Sequence, residues 1–146
     1  MPERVLLDTH IFITGYRNPA TLEGQVLHAL RDRSDITLLL SFPLEDQIRR
    51  VARRIGGKDW AGLILSRVWH DFLVEYVALP ADPQSIVENL GLDIPREDWL
   101  IFLTALMGET NLLVSGNREF LRQAAAQQNL FTCLTPAEFL IKLTHD

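Results

Sequence analysis

Val5-Leu6-Leu7-Asp8-Thr9-His10 is the stretch on which the reading of the fold turns. Three consecutive apolar residues, with no alternation, predict a strand buried on both faces. Such strands belong to parallel sheets covered by helices. The acid that closes the run has no stabilising task there unless it caps the next element. The same punctuation recurs along the chain. Ile36-Thr37-Leu38-Leu39-Leu40 is a second buried strand, Val74 to Leu79 a third closed by Pro80, Asn111 to Ser115 a fourth and Leu130 to Leu134 a fifth.

Helical patterns lie between them. The first runs from about Ala20 to Arg33, with Leu22, Val26, Leu27 and Leu30 on one face. Ser41 before Pro43 marks the start of the next, since Ser can cap and Pro tolerates the first turn. Leu44, Ile48, Val51 and Ile55 give it a 3.6-residue stripe, and Gly56-Gly57 ends it. Lys58 to Phe72, Pro83 to Leu90, Arg96 to Met107 and Arg118 to Gln128 read as further helices. Thr135-Pro136-Ala137-Glu138 opens the last one with a capping box. Strands alternating with helices predict a three-layer α/β/α sandwich around a central, mainly parallel sheet of four to five strands.

The 146 residues suit one domain over 1–146, and 47% hydrophobic with 23% charged residues excludes a disordered or collagen-like chain. The longest uncharged apolar stretch, Trp99 to Gly108, is about half a membrane span. Met1-Pro2-Glu3-Arg4 leads into an apolar run too short for a signal peptide. The single cysteine, Cys133, has no partner for an internal disulfide, so a reducing cytoplasm is the expected compartment. The net charge of −5 argues against coating nucleic acid by bulk electrostatics, but not against a nuclease whose acids hold cations.

Parallel α/β sheets bind ligands beyond the carboxyl ends of their strands. Acidic residues collect there. Asp8 follows the first strand, and Glu45 and Asp46 follow the second. Asp98, preceded by Glu97, opens the long helix, and Asn117 and Glu119 follow the fourth strand. Taken singly, an acid in a first helical turn is explained by the helix dipole. Taken together, carboxylates gathered in a cleft call for a hard divalent cation with oxygen ligands. Mg²⁺ or Mn²⁺ so held polarises a phosphate and activates water for attack on the diester.

The motifs resemble those of the PIN-domain nucleases, metal-dependent ribonucleases that include the toxins of many bacterial toxin–antitoxin pairs. Leu6-Leu7-Asp8-Thr9-His10-Ile11-Phe12-Ile13 resembles the opening motif. Asp98 with Ala105 resembles the third, and Gly108 through Ser115-Gly116-Asn117-Arg118-Glu119-Phe120-Leu121 the fourth. Leu134-Thr135-Pro136-Ala137-Glu138-Phe139-Leu140 resembles the family's ending. The likeness runs along the whole chain in order. It departs at the site: His10 stands where the family has Asn, and Asn117 where it usually has Asp. Leu44, Ile48 and Val51 put the register of the second-motif Glu on Gln47 rather than on Glu45 or Asp46.

The resemblance implies that Asp8, Asp98 and Glu119 are catalytic and bind Mg²⁺ or Mn²⁺, with Asp46, Gln47 and Asn117 as weaker candidates. Thr9, His10, Ser115 and Asn117 would contact substrate. It implies RNA as substrate, an antitoxin-like protein partner, a homodimer and no membrane association. The competing reading, motivated by Gln47 and Asn117, is a catalytically degenerate PIN-like domain that binds RNA or protein.

Other features carry less. Arg49, Arg50, Arg53, Arg54 and Lys58 form either a solvated helix face or a phosphate-binding ridge. Trp60, Trp69 and Phe72 belong to a helix whose apolar surface is core by default and, where exposed, suits a partner. His28, His70, His145 and Cys133 lack zinc-ligand spacing. Asp8-Thr9-His10 lacks the adjacent acids of a phosphotransfer receiver and the Asp-x-Asp of a haloacid-dehalogenase-like phosphatase. No Gly-rich nucleotide loop is present.

Overall fold

A computed structural model describes residues 3–31 and 33–145. In chain order the elements are β1 (Glu3–Leu7), α1 (Thr9–Arg17), α2 (Leu22–Arg31), β2 (Ile36–Leu40), α3 (Phe42–Gly56), α4 (Lys58–Asp71) and β3 (Val74–Tyr76). Then come α5 (Pro83–Leu90), a 3₁₀ turn (Arg96–Asp98), α6 (Trp99–Met107), β4 (Leu112–Val114), α7 (Arg118–Gln127), β5 (Thr132–Leu134) and α8 (Pro136–His145). The strands form one five-stranded sheet in the order β3-β2-β1-β4-β5. Every neighbouring pair is parallel, with Val5 level with Leu38 on one side and Leu112 on the other.

Continuous apolar strands need cover on both faces, and they have it. All five residues of β2 and all three of β4 are buried. Helices flank the sheet, and Phe12, Phe102, Phe120 and Phe139 are the largest fully buried side chains among them. Phe102 meets Phe131 edge to face at 5.9 Å, the arrangement ring quadrupoles favour. β2 and β3 lie outward from β1 on one side, β4 and β5 on the other. The chain therefore reverses its direction of strand addition between β1 and β4, and a crevice opens above their carboxyl ends.

Several boundaries differ from the sequence reading, each for a local reason. α1 has no counterpart among the expected elements: its centre, Ile11-Phe12-Ile13-Thr14, is rich in β-branched and aromatic residues. Burial of Ile11, Phe12 and Ile13 overrides that preference. β3 ends at Tyr76 rather than Leu79. It is an edge strand, and its last link is the Val77 N–H donating to the Leu40 carbonyl. β5 begins at Thr132 because Gln128 Oε1 accepts from the Leu130 and Phe131 N–H groups, holding them in a turn. The expected extension of the first helical pattern to Arg33 crosses residue 32, which lies outside the described residues, as do Met1, Pro2 and Asp146.

Ser41 does not cap α3 with its side chain. Fully buried, its hydroxyl pairs instead with Thr104 Oγ1 at 2.9 Å, tying the end of β2 to α6. The capping box of α8 forms as expected. The Glu138 N–H donates to Thr135 Oγ1, and Glu138 Oε1 accepts from the Thr135 N–H. Gly91 closes α5 in the left-handed region, at φ 64°, where a side chain would be strained. Among the described residues no helix is long and apolar enough to cross a membrane.

Candidate functional site

The ladder continues one residue past β1 and β4. The Asp8 N–H donates to the Val114 carbonyl at 2.9 Å, and the Ser115 N–H to the Leu134 carbonyl at 3.1 Å. Asp8 and Ser115 thus leave neighbouring strand ends at the reversal point of the sheet. Ser115 Oγ donates to Asp8 Oδ2 at 2.7 Å and accepts the Asn117 N–H at 3.0 Å. An amide N–H can only donate, so the single hydroxyl proton is committed to the carboxylate. Asp8 Oδ1 accepts the Thr9 N–H at 2.7 Å and caps α1. Asp8 therefore does have the capping task its position required, and both its oxygens are oriented by hydrogen bonds.

Thr9, almost fully buried, donates its hydroxyl to Gln47 Oε1 at 2.6 Å. The helical register that points to Gln47 rather than to Glu45 or Asp46 is the one that reaches the strand end. The two acids are engaged elsewhere. Glu45 Oε2 accepts from Trp69 Nε1 at 2.9 Å, and Asp46 pairs with Arg49 and Arg50 along its own helix. Asn117 caps α7, its Oδ1 accepting the Phe120 N–H at 3.1 Å. Its side-chain NH₂ has no partner among the described residues. Between Ser115 and Asn117, a Cβ on Gly116 would lie 2.6 Å from His10 Nε2. The absent side chain at 116 is what lets the His10 ring rest on this turn.

Asp98 is the last residue of the 3₁₀ turn and the N-cap of α6, yet its side chain makes no capping bond and no other described hydrogen bond. Helix capping, the ordinary explanation for an acid there, does not account for it. Burial pushes its carboxyl up to about 6, with the Asp8 charge and then Glu97 adding to the effect. Asp8 and Asp98, far apart in sequence, feel each other across the crevice. Glu119 lies in the first turn of α7, exposed, and is bound by Arg122 and Gln123 of its own helix.

The site thus joins Asp8, Thr9, Gln47, Ser115 and Asn117 through hydrogen bonds, His10 through packing, and Asp98 through charge. Glu45, Asp46 and Glu119 are occupied by neighbours on their own or adjoining helices. No group of three or more His, Cys, Asp or Glu among the described residues is placed to hold a metal ion. The donors present are two carboxylates with neutral amide and hydroxyl oxygens around them. Hard oxygen donors of this kind suit Mg²⁺ or Mn²⁺, and Mg²⁺ is commonly held by one or two carboxylates with waters and substrate phosphates completing its shell. By their chemistry the two carboxylates and the oxygens around them suit one such ion.

Sequence reasoning does not single out the exposed aromatic residues Phe42 and Tyr76. Phe42, between the Ser41 and Pro43 that begin α3, is 66% exposed, and Tyr76 at the end of the edge strand is 44% exposed. Both stand at the carboxyl edge of the sheet, Tyr76 on the edge strand two strands from β1. A signal for the first exists in the sequence: an aromatic residue at the first position of a helix after a buried strand has no core to enter.

No family model and no curated protein matches the sequence. Several solved structures share the fold. VapBC2 from Rickettsia felis, solved bound to a DNA fragment from their promoter, aligns with a TM-score of 0.63 at 17% identity, over 90% of this chain and 98% of that one. VapBC-1 from nontypeable Haemophilus influenzae gives 0.62 at 13%, over 92% and 98%. PAE2754 from Pyrobaculum aerophilum gives 0.58 at 18%, over 99% and 91%.

Proposed function

We propose that this chain, whose fold is PIN-like, acts as one PIN-like domain that hydrolyses RNA phosphodiester bonds with Mg²⁺ or Mn²⁺ held between Asp8 and Asp98. The observation that carries the reading is the Asp98 carboxylate. It is half-buried, without a described hydrogen-bond partner, and set against the charge of Asp8. Leaving two like charges facing each other in a cleft costs stability, and a cation between them removes that cost. When bound there, the ion supplies a Lewis acid for the phosphate and a lowered pKa for a water nucleophile.

The chain's own residues do the positioning. Ser115 and the Thr9 N–H fix the two oxygens of Asp8, so that they need not reorganise when the ion and the phosphate arrive. Gln47 fixes Thr9 in turn, and offers a neutral oxygen where a carboxylate would bind more tightly. The NH₂ of Asn117 is a donor suited to a phosphate oxygen, and His10, seated on Gly116, lines the same turn. Glu119, held by Arg122, takes the outer position, acting through water. Of the four expected substrate contacts, His10 and Asn117 are the ones left to meet substrate, while the buried Thr9 and Ser115 act by orienting Asp8.

The test is cleavage of single-stranded RNA by purified protein with Mn²⁺, comparing wild type with Asp98→Asn. Loss of cleavage in the variant supports the assignment, and cleavage unaffected by the substitution rejects it. The second reading, a non-catalytic module that binds RNA or protein, is favoured by a specific observation: Gln47 Oε1 and Asn117 Oδ1, which stand in for acids, are each already accepting a hydrogen bond. Calorimetric Mn²⁺ binding that disappears on Asp8→Asn counts against it. An antitoxin-like partner, a homodimer and a reducing cytoplasm complete the proposal. VapBC2 and VapBC-1, which share the fold, support the partner, and the lone half-buried Cys133 is consistent with the compartment.

A further inference from the structure

α6 lies in the crossover from β3 to β4 and follows Asp98 directly. Its sequence, Trp99-Leu100-Ile101-Phe102-Leu103-Thr104-Ala105-Leu106-Met107, carries no charge. Ile101 to Ala105 are all buried, which is more than one full helical turn. Apolar packing has no direction. A helix buried all round therefore takes no rotational setting from a polar face. Thr104, fully buried, is the only residue of α6 with a hydroxyl.

The proton of that hydroxyl can be placed. Thr104 Oγ1 donates to the Leu100 carbonyl at 2.7 Å, in the first turn of the helix. A hydroxyl has one proton. The 2.9 Å contact is therefore donated by Ser41 Oγ and accepted by Thr104 Oγ1. Ser41, also fully buried, follows β2 directly, and its carbonyl accepts the Glu45 N–H at 2.9 Å as α3 begins. That same helix brings Gln47 to Thr9. Among the described residues, Ser41–Thr104 is the one side-chain hydrogen bond from α6 to β2 or α3. Asp98 has no side-chain hydrogen bond of its own, so its carboxylate goes where the start of α6 takes it.

We infer that Ser41 and Thr104 are positioning residues, a buried hydroxyl pair that fixes the rotation of α6 on the sheet and so holds Asp98 toward Asp8. The pair touches neither ion nor substrate. A side chain reaches about 5 Å from its helix axis, so a rotation of about 20° moves the carboxylate by about 2 Å, one whole metal–oxygen distance. Its consequence for an ion rests on the nuclease reading, whereas the placement of α6 does not.

Two measurements on the full chain test it. The first is a metal-free crystal structure of Ser41→Ala/Thr104→Val, which removes both hydroxyls and keeps the site apolar. The expected result is an α6 turned or slid on the sheet, with Asp98 displaced relative to Asp8 by about 1 Å or more. An α6 in its wild-type place overturns the positioning role. The second is Mn²⁺ affinity by calorimetry. Thr104→Val weakens it about tenfold, and Thr104→Ser, which keeps the hydroxyl, retains it. Ile64→Val, a core truncation on α4, leaves it unchanged. Equal weakening in all three variants would mean general stability rather than positioning and overturns the role, as does wild-type affinity in Thr104→Val. A displaced α6 in a protein whose wild type binds no Mn²⁺ leaves the role standing and defeats the nuclease reading alone.

Discussion

Replacing Asp98 by Asn separates the energetic claim from the catalytic one. In the folded chain the Asp98 carboxyl is raised from an ordinary 3.8 to about 6, by burial first and by Asp8 and Glu97 after it. A group whose folded pKa exceeds its unfolded one binds more protons in the native state, so stability falls as pH rises through that window. The cost is absent below about pH 4 and complete above about pH 6. Taken at face value, the shift corresponds to roughly 3 kcal/mol. Asp98 is only half-buried, and solvent screening reduces this to about 1 kcal/mol. Asn keeps the shape and removes the charge. At pH 7.5 without metal, Asp98→Asn should therefore be more stable than wild type by about 1 kcal/mol, or ~2–4 °C in Tm for a chain of this size. At pH 4 the two should melt together. Adding Mn²⁺ at ten times its Kd should raise wild type by about 1.4 kcal/mol and leave the variant unmoved. Thermal melts followed by circular dichroism, at both pH values and with and without Mn²⁺, measure all of this. A variant less stable than wild type at pH 7.5, or a difference that does not change between pH 7.5 and 4, would refute the idea that Asp98 is an uncompensated charge.

Three further outcomes rest on the same geometry. Gln47→Glu and Asn117→Asp each add a carboxylate at the crevice, and each should tighten Mn²⁺ binding by about tenfold in calorimetry; Asn117→Asp should keep the α7 cap, since Asp and Asn cap equally well. Glu119→Gln should slow RNA cleavage by about tenfold, as an outer group does, while Asp98→Asn slows it by ~100-fold or more. Gly116→Ala drives a methyl to within 2.6 Å of His10 Nε2 and, at an exposed position where the ring can turn aside, should cost no more than about 1 kcal/mol in denaturant unfolding, most of which is recovered in the Gly116→Ala/His10→Ala double variant; full additivity of the two changes would mean the ring does not rest on that turn.

The fold was legible because its central strands carry short apolar runs that a sheet covered on both sides buries. Ile36–Leu40 is the clearest case, with expected and observed bounds identical. The parts that were not legible are those where tertiary contacts decide. α1 is a helix because burial of Ile11, Phe12 and Ile13 outweighs their local preference. Ser41 has the sequence of a cap and the environment of a core residue, and its hydroxyl follows the environment to Thr104. At the site, helical periodicity was enough to choose Gln47 over its acidic neighbours, because a register repeats along a helix. It could not show that Arg49 and Arg50 engage Asp46, or that Arg122 engages Glu119, since side-chain pairing within a helix leaves no mark on apolar spacing. Nor could it show that Asp98 lacks a partner, which is a property of everything around it.

A crystal structure of the protein soaked in Mn²⁺, read by anomalous scattering, addresses the central claim most directly. One peak between the Asp8 and Asp98 carboxylates, with an oxygen of each at about 2.1 Å and Ser115 still bound to Asp8, is the predicted result. No peak there at millimolar Mn²⁺, or an ion bound at other residues with Asp98 turned away from Asp8, would contradict it.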